Sequence, residues 1–342
     1  MNTPLSHLAF LEIASPDPAA SARFYTEKFG MRVIDQIDET YYLRCWGDHY
    51  RYSLAISPGP DAALITMAWR TNSEAALQEA VERVERMDGA SGGQWSDGGH
   101  GHGRSYSFTG PLGHNMTLVW DLEDYEADPE HRSVFPDRSE KRSSHGAAPR
   151  FLDHVTIAAS DVKRFAEWYS EALGYRIMAY TTLEEAPIVV FGVLTTNEKS
   201  HDLGIVLDTS KTPGRVHHIA FWADHPEDLV RTADLMIENG VPIEYGPSIH
   251  GIGEQHYLYF REPSSLRVEL NSGGYRNYVP DWKARTWLPS QGSNNFFRNW
   301  NMPDSMMEAF PAADGKTATE DGASPELTEE LLNPWATTTS AS

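Results

Sequence analysis

The spacing of apolar residues changes along this chain, and each change marks an element. LAFLEI (8–13) and FLDHVTIAA (151–159) are short, mostly apolar runs and read as strands. After the second run, Phe165, Trp168, Tyr169, Ala172 and Leu173 return at helical spacing. Asp161 or Ser160 can cap that helix, and Gly174 is placed to end it. Three further strands are expected at about 176–182, 188–194 and 203–208. RVHHIAFWA (215–223) reads as another strand, followed by a helix at 226–239. Pro226 suits its first turn, and Gly240 lies just past its end. YLYFREP and LRVELN then close the unit as a hairpin. In RVHHIAF, strict strand alternation sends His217 and His218 to opposite faces, so at most one can join a given site.

The chain repeats this pattern. FYTEKFGMRV (24–33) and WYSEALGYRI (168–177) match in residue class at every position except one, at an offset of 144. The match extends backwards, laying residues 10–17 over 154–161. In the first copy, ALITMAWR, a helix at about 73–87 and SYSFTGPLGHNMTLVW supply the second half. Each copy therefore holds two strand–helix–strand half-units, and an internal repeat of this kind governs the choice of fold. The expected organisation is a first module at 1–125, a linker at 126–149 and a second module at 150–274. A C-terminal segment at 275–310 should pack on the second module through Trp282, Trp287, Phe296, Phe297 and Trp300. The acidic tail at 311–342 has few core residues and is expected to be disordered.

Composition narrows the function. The 342 residues include 28 basic and 49 acidic side chains, a formal charge of −21. That balance argues against nucleic acid or an anionic membrane as partner. No run approaches the ~18 apolar residues of a membrane span. The N-terminus lacks a basic region and carries Glu12 and Asp17, unlike a secretory signal. Cys45 is alone, which fits a reducing compartment, so a cytoplasmic protein is expected.

Three strands of the second copy each carry one candidate metal ligand: His154, His218 and Glu269, separated by 64 and 51 residues. Two imidazoles and one carboxylate on one face leave open positions opposite, the donor set of non-haem Fe(II) oxygenases. A lone strand histidine is more often structural, and Glu269 between Val268 and Leu270 could simply face solvent. The repeat acts as an internal control. The three positions fall on Phe10, Thr66 and Thr117 in the first copy, so that module should be metal-free. GGHGHGRS (98–105) has no following Lys-Ser/Thr and opens no helix, so it reads as a loop rather than a phosphate or metal site.

With these residues and HGIGEQHYLYFREPSSLRVEL (250–270), the chain resembles the type I extradiol ring-cleavage dioxygenases of the vicinal oxygen chelate superfamily, catechol 2,3-dioxygenase and homoprotocatechuate 2,3-dioxygenase among them. The resemblance covers residues 5 to about 275. It implies an α+β fold of two tandem modules, each a pair of βαβββ units forming a curved mixed sheet around a cavity, with a C-terminal extension. It also implies a metal-free first module and His154, His218 and Glu269 as ligands of Fe(II), with Mn(II) as the alternative. His218 is then the ligand, and His217 points away with a structural role. His201 falls at the position of the family's acid–base histidine, and an imidazole titrating near neutral pH suits that task. His250 and Tyr259 correspond to residues that hold the substrate's oxygens.

The implied reaction joins a catechol-type aromatic to O₂, opens the ring beside the two hydroxyls, and yields a 2-hydroxymuconic semialdehyde. Members that take a side-chain carboxylate use an arginine where this chain has Tyr245, and the ring pocket near Val193 is apolar. A catechol without an acidic substituent is therefore expected, unless Arg276, Arg285 or Arg298 restores anion binding. The alternatives are cleavage of a hydroquinone or of homoprotocatechuate on the same triad, an isomerase, epimerase or glutathione transferase on the same scaffold, or a non-catalytic small-molecule-binding member of the fold. Family resemblance also implies a homo-oligomer, often a tetramer.

Overall fold

The computed structural model of the protein describes residues 3–295 and 302–313. Phe296, Phe297, Arg298, Trp300 and nearly all of the tail lie outside the described residues.

The first module contains β1 (Leu5–Ser15), α1 (Pro18–Arg23), β2 (Arg32–Ile37), β3 (Thr40–Arg44), β4 (Leu54–Pro58), β5 (Ala63–Thr71), α2 (Glu74–Arg86), β6 (Ser91–Ser96), β7 (Ser105–Thr109) and β8 (Asn115–Val119). A π-helical turn, Phe24–Lys28, continues α1. The second module contains β9 (Phe151–Ala159), α3 (Val162–Leu173), β10 (Arg176–Thr182), β11 (Val189–Thr195), β12 (Leu203–Leu207), β13 (Val216–Trp222), α4 (Pro226–Glu238), β14 (Ile243–Ile249), β15 (Gln255–Arg261) and β16 (Arg267–Gly273). The α+β architecture of paired βαβββ units is the one expected.

Both sheets have one topology. The first runs β2-β3-β4-β1-β5-β8-β7-β6, and the second, read from its other end, runs β10-β11-β12-β9-β13-β16-β15-β14. An antiparallel pair lies at each centre, β1/β5 and β9/β13, with a parallel neighbour on either side. A short strand that the sequence reading does not anticipate, β17 (Arg285–Trp287), adds to the free edge of β10. Three residues are too few to show a period.

Helix α3 forms where its caps specify. Asp161 accepts from the Arg164 amide at 3.0 Å, and Gly174 takes the left-handed conformation, φ +75°, at the other end. Its apolar face packs with Val155, Ile157 and Ala159 of β9 in a core that spans both modules. Phe24, Tyr25 and Phe29 of the first module meet Phe221 and Phe260 of the second at ring separations of 5.2–6.2 Å. Residues 126–149 contain no helix or strand and lie along the first module, where Ala148 accepts from the Trp46 indole and Glu140 pairs with Arg32.

Candidate active site

Alternation along β9 sends Val155 and Ile157 to the core and His154 and Thr156 to the other face. The sheet register then gathers the site. Tyr259, Glu269, Ala220 and His154 occupy one rung across β15, β16, β13 and β9. His218 lies two residues along, opposite Thr156, on the next rung that faces the same side. That rung continues through Gly204, Val193 and Ala179 to Arg285 at the sheet edge.

The three candidate ligands converge and are all buried. His154 Nε2 and His218 Nε2 lie 3.0 Å apart, and Glu269 Oε2 lies 3.2 Å and 3.0 Å from them. Three donors about 3 Å apart span one face of an octahedron with metal–ligand bonds of about 2.1 Å. Glu269 Oε2 is buried with no hydrogen-bond partner, and three donor atoms converging on one point suit a cation among them. The residues therefore fit a divalent metal. Among the described residues they are the one three-donor cluster, so the 98–105 loop forms none. There, His100 pairs with Asp35 at 2.9 Å.

The charges respond to this crowding. Burial works to lower the His154 pKa, but the Glu269 and Asp153 carboxylates carry it up to about 9. Burial dominates at His218 and takes it down to about 4, against the pull of Glu269. Glu269 is buried, yet the two imidazoles hold it well below the ordinary carboxylate range.

His201 lies before β12, its ring centroid 4.3 Å from that of His154. Burial, followed by the charge on His154, pushes its pKa well below neutral. That corrects the expectation of titration near neutral pH: the free protein holds this imidazole neutral. His250 follows β14, and its Nδ1 donates to the Asn294 carbonyl. Its Nε2 therefore accepts from the Tyr259 hydroxyl at 3.1 Å. Burial and the nearby Glu269 raise the Tyr259 pKa, so the hydroxyl keeps its proton. Tyr245 stacks on Tyr257, with ring centroids 5.0 Å apart. Asn295 donates to both of their hydroxyls, at 3.1 Å and 2.8 Å. Val193 packs with Met178, Ala179 and Ile252 beneath Trp287. Arg285 is exposed over the Trp282 ring.

Two residues of the site escape a pattern reading. Asp153, fully buried, accepts from His154 Nδ1 at 2.8 Å and is held by Lys199 and Asn271. Its position directly before a candidate ligand was the available signal. The other is His217. Val216 pairs with Ile157 and His218 with Thr156, so His217 is an extra residue, the centre of a β-bulge. Alternation breaks there. His217 does not point away from the site, and its ring lies beside that of His218 with Nδ1 atoms 2.6 Å apart.

Comparison with known proteins places this geometry. Residues 5–118 and 151–270 each match the family described as the Glyoxalase/Bleomycin resistance protein/Dioxygenase superfamily. The chain is 30% identical over 291 residues to a manganese-dependent 2,3-dihydroxybiphenyl 1,2-dioxygenase of Geobacillus genomosp. 3, covering 84% of this chain and 91% of that protein. It is 30% identical to the metapyrocatechase of Geobacillus stearothermophilus over 284 residues, 83% of this chain and 86% of the relative. In fold it is similar to homoprotocatechuate 2,3-dioxygenase from Arthrobacter globiformis, with a TM-score of 0.76 at 23% identity, covering 89% of this chain and 90% of that one.

Proposed function

This chain belongs to the glyoxalase/bleomycin resistance protein/dioxygenase superfamily, in its extradiol-dioxygenase branch, and we propose that it cleaves a catechol-type ring with O₂ at a divalent metal held by His154, His218 and Glu269. The observation that carries this reading is the triangle of buried donor atoms 3.0–3.2 Å apart. A non-catalytic binding member of the fold has no need of it. When bound, Fe(II), or Mn(II) as in the named Geobacillus relative, supplies positive charge that favours catechol ionisation and an electron path between catecholate and O₂.

The protein's own residues handle position and protons. Tyr259, fixed by its bond to His250, presents Oη as an acceptor to one catechol hydroxyl and so orients the ring. His201 is neutral and buried, with Ser200 Oγ 3.3 Å from its Nδ1. It can take the phenolic proton on Nε2 and return it to oxygen as the ring opens.

The substrate is a catechol without an acidic substituent. Support comes from the apolar cluster of Met178, Ile252, Val193 and Ala179, the last two on the rung of His218, and from the uncharged Tyr245–Tyr257–Asn295 group. We assign Fe(II) first and a homo-oligomer, a tetramer by kinship, which sedimentation would weigh. The test is a panel of catechol, 4-methylcatechol, a chlorocatechol and homoprotocatechuate, followed by O₂ uptake and the yellow semialdehyde. The neutral catechols should turn over at least as well as homoprotocatechuate. Strong preference for homoprotocatechuate would overturn the substrate assignment. Metal-loaded protein inert to all four would redirect the site to hydroquinones.

A further inference from the structure

The two candidate histidine ligands share an arrangement. Each histidine is preceded in sequence by a buried polar residue that touches its Nδ1: Asp153 for His154 and His217 for His218. For His154 the partner is a carboxylate, which can only accept. For His218 the partner is another imidazole, and its role follows from what fixes it on the far side.

His217 Nε2 lies 2.6 Å from the carbonyl oxygen of Met306. A carbonyl only accepts, so Nε2 carries the proton and donates. His218 must keep the Nε2 lone pair free to bind a metal, so its proton sits on Nδ1. With both ends set, the 2.6 Å contact between the two Nδ1 atoms has one consistent polarity: His218 donates and His217 accepts. The bulge at His217 makes the contact geometrically available.

The Met306 carbonyl is not a loosely placed group. Arg267, fully buried on β16, donates to the carbonyls of Ser305, Glu308 and His217 itself. Phe310 exchanges two backbone hydrogen bonds of 2.7 Å with Val216. Arg215 donates to the Ala309 and Pro311 carbonyls. Residues 305–311 are therefore bound directly to Arg215 and Val216 at the start of the bulge, and Arg267 ties them to His217 itself.

We propose that His217 is a positioning residue of the metal centre: it accepts the Nδ1 proton of His218, aims the His218 Nε2 lone pair, and is itself oriented by the Met306 carbonyl. The C-terminal segment is thereby part of the centre without touching the metal. This rests on the reading of His218 as a ligand. Partners of this kind set tautomer and ring angle, and removing one commonly weakens metal binding about 10- to 100-fold.

The test separates acceptor chemistry from packing. His217→Leu keeps much of the volume and has no acceptor. His217→Asn can place its Oδ1 near the position of the lost Nδ1. Mn(II) affinity of the metal-free protein is measured by calorimetry, with thermal melting recorded for each variant and His218→Ala as control. The expected result is about a 10- to 100-fold loss in H217L, recovery to within a few-fold in H217N, and abolished binding in H218A. Wild-type affinity in H217L, or equal losses in two variants that melt like wild type, would overturn the relay. Wild-type affinity in H218A would instead overturn the ligand assignment beneath it. Nitrogen-15 spectra of wild-type protein loaded with diamagnetic Zn(II) give a check that needs no variant. His217 should carry its proton on Nε2, and a proton on Nδ1 would refute the proposal.

Discussion

Asp153 and His217 each precede the candidate ligand they touch, and the proton chemistry there is directly measurable. In metal-free protein, His154 holds a proton up to about pH 9, because Glu269 and Asp153 outweigh its burial. A metal must displace that proton. Between pH 6 and 8, Mn(II) affinity should therefore rise about tenfold per pH unit, with close to one proton released per metal. Calorimetry in two buffers of different ionisation enthalpy reads both, and a flat profile would contradict the assignment. His201→Phe should leave metal binding intact and lower kcat by about 10²- to 10⁴-fold with a smaller change in KM. A loss confined to KM would make His201 a binding residue only.

Among the elements, the candidate ligands come together because β9, β13 and β16 are neighbours in fixed register. Much of this was legible in the sequence. The helix caps Asp161 and Gly174, the repeat, and the choice of His154, His218 and Glu269 all follow from pattern and kinship. The bulge at His217 was not, since alternation is a rule about regular strands and nothing in RVHHIAF marks an extra residue. The first module has a register shift at the matching place, between the Glu12–Thr66 and Ile13–Leu64 pairs. The bulge is thus a property of the fold rather than of the histidine pair. The pKa of His201 was also illegible, because burial of a loop residue depends on the strands packed around it. Gly204 tests the rung directly. A Cβ there would stand 2.2 Å from Thr156 Oγ1, on a β-branched side chain with little rotational freedom. Gly204→Ala should cost about 1–3 kcal/mol by thermal unfolding. A neutral outcome would mean that Thr156 turns away freely.

Across the whole molecule, the two sheets share one core, and the stability of the site is tied to it. Phe29 of the first module contacts both Phe221 and Phe260 of the second. Phe29→Ala should destabilise by about 3–5 kcal/mol, and the modules should still unfold together. Two separate transitions would show them to be independent. Acid acts through the C-terminal clamp. Glu244 is largely buried, but Arg267 and Arg261 draw its pKa down to about 2. A depressed carboxyl contributes stability above its unfolded pKa of about 4.5 and loses it as pH falls towards 2. Urea unfolding at pH 5 and pH 3 should show a smaller loss in Glu244→Gln than in the wild type. Among the described residues no helix is long and apolar enough to cross a membrane.

We propose above all that the buried donor triangle holds the metal at which ring and O₂ react. The most direct measurement loads the metal-free protein anaerobically with Fe(II), counts bound iron per chain, then adds catechol and air while O₂ and the yellow product are recorded. The expected result is one iron per chain, one O₂ consumed per ring opened, and loss of both iron and turnover in Glu269→Gln. Full iron binding and turnover in Glu269→Gln would contradict it.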